Sequence, residues 1–217
     1  MRFSIVTITK NNSEGFSRTK KSVQSQTFKG YEWLVVDGDI DPDNGIYDAM
    51  NKGIARANGD FVMFMNAGDV FAGENTLSKI AQYDADFIYG DAMEGGHLKR
   101  AKHHSKIKSG MVTHHQSMVY RTKILKTLQF DERYKVAADY KLTLQFINLS
   151  NSIEYINSVL SIFDVGGVSQ QNARLGRIEE SQIRKDLGIR STITPYRQWG
   201  TQILKNYAPW LYWALKN

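Results

Sequence analysis

The sequence predicts an α/β fold in which helices cover both faces of a mostly parallel sheet. In the N-terminal half, short apolar runs alternate with amphipathic segments of helical period. The apolar runs are nearly continuous, as is typical of strands that are buried on both faces. The chain has 217 residues, of which 41% are hydrophobic, so it can bury a sizeable core in one domain.

The elements of the N-terminal half follow in a regular order. Asn11, Asn12 and Ser13 are helix-capping residues after the first strand, and Asn58-Gly59 ends the second helix. Strands are predicted at residues 3–9, 31–36, 60–65 and 86–90, and helices at 16–26, 46–57 and 74–82.

The pattern is looser in the C-terminal half. Residues 97–108 are basic and suggest a hairpin, and residues 153–165 alternate like strands. A strand is predicted at 116–120, and helices at 122–128, 138–149, 175–187 and 196–216, with Pro209 starting a second short helix in the last of these.

Composition limits the possible classes of protein. The absence of cysteine excludes disulfides and thiolate metal sites, and it fits a reducing compartment. No apolar run approaches the ~18 residues that span a bilayer, and no secretory signal is visible. We therefore expect the chain to stay in the cytoplasm.

Most of its net charge of +6 lies in residues 174–217, which contain eight Lys/Arg and three Asp/Glu. Such a segment suits an anionic lipid, a phosphate-bearing substrate or nucleic acid, or it is a solvated face.

Carboxylates stand at the ends of the predicted strands. Asp37 and Asp69 each close an apolar strand, and parallel strands bring such ends to one edge of the sheet. A divalent cation needs oxygen ligands there, which suits Asp69, and Asn66 could bind a phosphate or a sugar. Alternatively, residues 66–68 form a simple turn and Asp69 caps a helix.

Several segments, in this order, resemble the glycosyltransferases of family 2. The resemblance extends over about residues 3–169 and is specific in combination. Its segments are SIVTIT at 4–9 with Asn11, VVDG at 35–38, GIYDAMNKGI at 45–54, NAGD at 66–69, HQS at 115–117, ADYKL at 138–142 and GGVS at 166–169. The most similar members of the family build bacterial capsule, exopolysaccharide or lipopolysaccharide.

The resemblance implies a GT-A fold, with a Rossmann-like nucleotide-binding sheet. It implies a catalytic domain over residues 1–170, with a nucleotide-sugar half at about 1–91 and an acceptor half at about 92–170, and a helical tail at 171–217. It also implies an inverting transfer from a nucleoside-diphosphate sugar to a glycan or lipid-linked glycan acceptor. Mg²⁺ or Mn²⁺ would neutralise the leaving diphosphate.

The resemblance also assigns roles to individual residues. The nucleoside would be contacted by Thr9, Asn11 and Asp37, and the nucleotide sugar would be positioned by Asp48 and Asn51. Asp69 would bind the metal, with Asn66 in place of the family's first carboxylate. Asp139 would be the general base, although an aspartate at a helix start is usually an N-cap. His115 with Gln116 would lie on the phosphate or acceptor side, although such a histidine is often structural.

One departure from the family concerns the segment after the second strand. Gly45 follows Asp37-Gly38 so closely that a helix and strand of the nucleotide-binding half are missing. This favours, as an alternative, a catalytically impaired GT-A-like binding module. A nucleic-acid partner is not expected, because the basic clusters at 99–102 and 106–108 lack an accompanying motif.

The tail combines aromatic and basic residues. Its aromatic residues include Trp199, Tyr207, Trp210, Tyr212 and Trp213. Such a composition is typical of an interfacial helix, so we expect peripheral attachment to an anionic membrane on its cytoplasmic face. Alternatively, the tail packs on the catalytic domain or on a second subunit, and the oligomeric state stays open.

Overall fold

The computed structural model describes residues 1–164, 166–189, 200, 203–204 and 207–214. The strands are β1 (Phe3–Thr9), β2 (Tyr31–Asp37), β3 (Phe61–Phe64), β4 (Val70–Phe71), β5 (Phe87–Glu94), β6 (His97–Lys99), β7 (Met118–Arg121) and β8 (Ile153–Phe163). The helices are α1 (Ser13–Gln24), α2 (Ile46–Arg56), α3 (Thr76–Ile80), α4 (Thr122–Leu125), α5 (Ala138–Leu149), α6 (Val168–Gln171), α7 (Ala173–Asp186) and α8 (Pro209–Ala214). Two 3₁₀ turns cover His104–Ser109 and His115–Ser117.

The first three strands form the parallel half of the sheet. β1 lies between β2 and β3 and is parallel to both. All of β3 and all but the last residue of β1 are buried, which explains their continuous apolar sequences. β2 is the edge strand, and residues 38–45 contain neither a helix nor a strand. The helix and strand that the family places beyond β2 are therefore absent from this part of the chain.

The sheet as a whole is mixed, with less parallel pairing than the sequence predicts. The strand order is β2-β1-β3-β7-β5-β8-β4, with β6 paired to β5. β7 is antiparallel to both β3 and β5. The chain leaves β5 through a hairpin at Gly95-Gly96 and returns to β7 without a helix crossing the sheet. Parallel strands require such a crossover, so β7 enters the sheet in the opposite direction.

Two apolar cores lie on the two faces of the sheet, as the sequence predicts. On one face α2 and α5 pack on the strands, and on the other face α1 and α3 do so. Tyr47, Met50 and Ile54 form the buried stripe of α2. α2 lies so close to β1 that a Cβ atom on Gly53 would stand 2.3 Å from Cγ1 of Val6. This contact packs the second half of α2 closely against the middle of β1.

Most element predictions are confirmed, and the differences are local. α5 has the predicted bounds, and α2 ends one residue early. The short β4 was not predicted, and residues 153–163 form one strand. Residues 97–108 do not form a hairpin by themselves: residues 97–99 form β6, which pairs with β5, and residues 104–109 form a 3₁₀ turn. Pro209 starts α8 as predicted, whereas Trp199 lies outside the described residues.

Candidate active site

One large cleft, of about 1720 Å³, opens at the carboxyl ends of β1 and β3. The first residues of α2 and α5 complete its wall. It brings together seven of the residues to which the resemblance assigns roles, namely Thr9, Asn11, Asn66, Asp69, His115, Gln116 and Asp139. This position, at the carboxyl edge of a parallel strand group, is the usual ligand site of open α/β sheets.

Thr9 and Asn11 form the part of the wall that follows β1. Asn11 has a positive φ of 50°, which places the chain in a tight bend where asparagine is tolerated. Its backbone N–H donates to Oδ2 of Asp39 at 2.8 Å. The bend therefore links the ends of β1 and β2.

Asp69 is almost completely buried, with 4% of its surface exposed. Its Oδ2 accepts a hydrogen bond from Nε2 of Gln116 at 2.6 Å, and its Oδ1 accepts one from the backbone N–H of Asp164 at 2.9 Å. Burial raises the pKa of Asp69 to about 6, although these two donors and His115 lower it. Because β4 follows directly, Asp69 does not cap a helix.

A threonine of α1 holds the loop between Asn66 and Asp69. The Thr19 hydroxyl donates to the Asp69 carbonyl at 2.7 Å and accepts from the Gly68 N–H at 3.0 Å. Gly68 has a φ of 111°, and a Cβ atom there would lie 2.7 Å from the Asp164 carboxylate. The sequence gives no signal for this role of Thr19, because the contact joins α1 to a loop 49 residues away.

Asp139 lies in the first turn of α5 and keeps one fifth of its side chain exposed to the cleft. Its Oδ1 accepts from the Tyr140 N–H at 2.8 Å and lies 3.3 Å from the Tyr47 hydroxyl. The Tyr47 hydroxyl also donates to the Val136 carbonyl at 2.6 Å. Burial, together with the charge of Asp139, raises the pKa of Tyr47 well above its usual value.

The backbone that leads into α5 is held by a carboxylate of α7. The Glu179 carboxylate of α7 accepts hydrogen bonds from the backbone N–H groups of Lys135, Val136 and Ala137, at 2.7–2.8 Å. Ala137 is the N-cap residue of α5. Asp139 is thus not the N-cap residue, and its Oδ1 accepts the backbone N–H of Tyr140 within the first turn.

His115 lies between Asn66 and Asp139. Its Nδ1 is 3.6 Å from Oδ2 of Asp139, and its Nε2 is 3.3 Å from Nδ2 of Asn66. The ring meets Phe64 edge to face, and 16% of the side chain is exposed. The three polar side chains thus form a continuous row along the cleft wall.

Three residues that the resemblance assigns to the donor do not line the cleft in the described structure. Asp37 accepts from the Asp39 N–H at 3.0 Å, and Asp48 accepts from the Asn44 N–H at 2.9 Å. Both carboxylates therefore hold the loop between β2 and α2.

Asn51 has a similar structural position. Its side-chain amide makes two hydrogen bonds with the backbone of Phe130, at 3.0 Å and 2.9 Å. It also lies 3.3 Å from a carboxylate oxygen of Glu132. These contacts tie α2 to the loop that precedes α5.

A second polar network in the cleft lining was not predicted. Nε2 of His114 lies 3.0 Å from Nζ of Lys99 and 3.1 Å from Oε2 of Glu94. Gln170 donates to Oε1 of Glu94 at 3.0 Å, and the His114 ring stacks on Phe163. Burial and the Lys99 charge lower the pKa of His114 to about 4, so this imidazole is neutral at pH 7. The network joins β5, β6 and α6 into one wall.

The cleft offers few protein ligands for a metal ion. The described residues contain no group of three His, Asp or Glu side chains placed to bind a cation. Asp69, however, faces the cleft near Asn66, whose Oδ1 is buried and has no hydrogen-bond partner among the described residues. One carboxylate and a neutral oxygen fit a cation such as Mg²⁺ that takes its remaining ligands from a phosphate-bearing substrate and water.

Comparison with known proteins agrees with the geometry of the cleft. Residues 40–139 match the model of glycosyl transferase family 2. A PGL/p-HBAD biosynthesis glycosyltransferase of Mycobacterium tuberculosis is 26% identical over 91% of this chain and 90% of its own length. A second M. tuberculosis protein, an uncharacterised glycosyltransferase, is 27% identical over 76% of each chain. The family model covers 100 of the 217 residues, and together with these relatives it supports a glycosyltransferase of family 2. The chain is therefore a transferase, and a purely non-catalytic module is not favoured.

Solved structures show that the enzyme has the GT-A fold. Residues 1–349 of S. aureus TarS, in complex with UDP-GlcNAc, match with a TM-score of 0.71 at 18% identity, over 95% of this chain and 71% of that one. The enzyme spans only 43% of a longer TarS chain. The mannosyltransferase PcManGT of Pyrobaculum calidifontis, in complex with GDP-Man and Mn²⁺, matches with a TM-score of 0.61 at 13% identity, over 99% and 83% of the two chains.

Among the described residues, no helix of the enzyme combines the length and the apolar character needed to cross a bilayer.

Proposed function

We propose that the enzyme is an inverting glycosyltransferase that uses Asp139 as its general base. The sugar would pass from a nucleoside-diphosphate donor to a hydroxyl of a glycan or lipid-linked glycan in bacterial surface polysaccharide synthesis. The observation that carries the proposal is that Asp69 and Asp139, from distant parts of the chain, line the same cleft. The donors bound in the TarS and PcManGT structures support the same class of donor.

The transfer balances as a single displacement. Asp139 takes the proton of the acceptor hydroxyl while that oxygen attacks the anomeric carbon. The bond from the anomeric carbon to the diphosphate oxygen breaks, and the nucleoside diphosphate leaves with both bonding electrons. The attack comes from the face opposite the leaving group, so the configuration inverts.

The cation belongs on the donor side of the cleft. Asp69, with the neutral Oδ1 of Asn66, would hold it. When bound, a divalent cation neutralises the charge that develops on the leaving diphosphate. Gln116 and the Asp164 N–H orient the Asp69 carboxylate, which is the usual task of groups around a metal ligand.

The configuration of the product tests the proposed reaction. We expect that one of a panel of UDP, GDP and dTDP sugars is transferred, and that NMR coupling constants show the opposite anomer in the product. A product that retains the anomeric configuration of the donor would refute the single displacement.

We also propose that the tail attaches the enzyme to an anionic membrane surface. Tyr207 and Trp210 are 85% and 74% exposed, whereas Tyr212 of α8 is buried against the cleft wall. Ile178 of α7 adds a further exposed apolar side chain. Residues 174–217 carry a net charge of +5. Exposed aromatic residues beside positive charge favour the headgroup region of anionic lipids.

Vesicle flotation tests this attachment with point variants, because deletion of the tail would also remove the buried Tyr212. We expect the wild-type enzyme to float with anionic vesicles and not with zwitterionic ones. A variant with Tyr207→Ser and Trp210→Ser should lose flotation. Ile40→Ser, which removes an apolar residue that is 82% exposed elsewhere, should float normally. Equal flotation of the two variants would contradict the proposal.

A further inference from the structure

The row formed by Asn66, His115 and Asp139 restricts the protonation of the imidazole between them. Nδ1 of His115 faces a carboxylate oxygen of Asp139 at 3.6 Å, and Nε2 faces the amide nitrogen of Asn66 at 3.3 Å. A carboxylate oxygen only accepts hydrogen bonds, and an amide nitrogen only donates them. The two neighbours therefore favour the same tautomer, with the proton on Nδ1 and a lone pair on Nε2.

The opposite tautomer would be unfavourable at both ends of the ring. A bare Nδ1 would point its lone pair at the Asp139 carboxylate, and an Nε2–H would point at the N–H of Asn66. The side chains of His115 and Asp139 are only 16% and 20% exposed, so water compensates poorly for such a mismatch.

We propose that His115 is a positioning residue, held by Asn66 in its Nδ1–H tautomer, that orients the base Asp139. This inference rests on the proposed function, because it takes Asp139 as the base. Oδ1 of Asp139 is held by the Tyr140 N–H. His115 supplies a directed donor to Oδ2, the remaining oxygen, and so limits the rotation of the carboxylate. The 3.6 Å separation is longer than a hydrogen bond, and the positioning role requires it to shorten in the substrate complex, as is common for catalytic hydrogen bonds.

In this arrangement the two ends of the Asn66 amide have different roles. Its Nδ2 faces His115, while its Oδ1 is buried without a partner among the described residues. The same side chain that would meet the cation or the donor thus also sets the tautomer next to the base. The donor side and the acceptor side of the cleft are thereby connected through one amide group.

The tautomer can be measured without any substrate. We expect ¹⁵N–¹H correlation spectra of the neutral His115 ring to show the proton on Nδ1, with the signals assigned by their loss in a His115→Asn variant. In Asn66→Ala the preference for Nδ1–H should weaken. A wild-type ring that carries its proton on Nε2 would overturn the proposal.

Two substitutions separate the two ring nitrogens in a kinetic test. An asparagine at position 115 places its amide nitrogen near the position of Nδ1, whereas a glutamine reaches the position of Nε2. We expect His115→Asn to keep kcat close to the wild-type value. His115→Gln and His115→Leu should each lose about tenfold or more in kcat, the loss expected for a group that orients a functional side chain. The KM for the donor should change little in all three.

The outcomes distinguish this inference from the proposed function. Equal kcat losses for His115→Asn and His115→Gln would refute the positioning role, as would rescue by glutamine alone. Full turnover by Asp139→Asn would instead refute the base assignment, whatever tautomer His115 shows. His103→Asn serves as the matched control, because His103 is exposed and lies outside the cleft lining, and it should leave kcat unchanged.

Discussion

At the scale of single residues, Asp69 shows how function opposes stability. The folded protein raises the pKa of this carboxyl from 3.8 to about 6, chiefly by burial. The folded state therefore holds the proton more tightly than the unfolded state does. Ionising Asp69 costs folding free energy that is fully present above pH 6 and disappears as the pH falls toward 4. A buried carboxylate that destabilises the folded state is typical of functional sites.

Asp69→Asn should therefore stabilise the protein at neutral pH. The free energy of unfolding should rise by about 2 kcal/mol at neutral pH, and the gain should shrink as the pH falls toward about 5. If the side-chain amide of Gln116 rotates by half a turn, its Oε1 can accept a hydrogen bond from the new amide nitrogen at position 69. That Oε1 has no partner among the described residues, so the rotation breaks no other hydrogen bond of this oxygen. Urea unfolding at several pH values measures the gain, with the exposed Asp60→Asn as the control.

The same variant should weaken nucleotide binding. Calorimetry with UDP, GDP and dTDP should show that Mn²⁺ strengthens binding to the wild-type enzyme and has less effect on Asp69→Asn. Equal effects of Mn²⁺ on both proteins would contradict the assignment of Asp69 to the cation.

At the scale of elements, the sequence predicts helices and strands well where their periodicity is strong. β1 and β3 are buried on both faces, and α2 and α5 are amphipathic, so local sequence determines them. The two-residue β4 exists only because it pairs with the distant β8, and no local pattern could reveal it. The direction of β7 likewise depends on how the chain returns to the sheet.

Asn51 illustrates a site residue whose contacts the sequence could not supply. Its amide lies against the backbone of Phe130, 79 residues away, instead of lining the cleft. Asn51→Ala should lower the free energy of unfolding by about 1–3 kcal/mol, because a buried backbone donor and acceptor lose their partner. Donor affinity should stay near the wild-type value.

Chemical unfolding and nucleotide calorimetry on the same preparation measure both quantities. Asn148→Ala, an exposed substitution on α5, should change neither. A large loss of donor affinity with unchanged stability would show that Asn51 positions the nucleotide sugar, as the family resemblance implies.

At the scale of the whole molecule, the fold gathers short segments from distant parts of the chain. Asp69 follows β3, His115 precedes β7, Asp139 starts α5 and Asp164 follows β8. The family resemblance identified the first three as candidates. The sequence could not show that Asn66, His115 and Asp139 stand in one row, nor that Glu179 of α7 binds the backbone in front of Asp139, because these contacts depend on the packing of complete elements.

The short connection between β2 and α2 makes the sheet smaller but leaves the cleft in place. The sheet ends at β2, yet the loop of residues 38–45 is firmly held, because Asp41 accepts hydrogen bonds from Lys52 and Arg56 of α2. The carboxyl ends of β1 and β3, where Asn11 and Asp69 lie, keep their places in the cleft. The reduced sheet thus retains the part of the fold that carries the proposed chemistry.

The central claim is that Asp139 removes the acceptor proton in this cleft, and the most direct measurement compares Asp139→Asn with Asp60→Asn. Turnover and donor affinity would be measured on both variants with the donor that the wild-type enzyme transfers. The account predicts that Asp139→Asn loses at least about a hundredfold in kcat while its donor affinity survives, and that Asp60→Asn behaves as the wild type. Unchanged turnover by Asp139→Asn would contradict it.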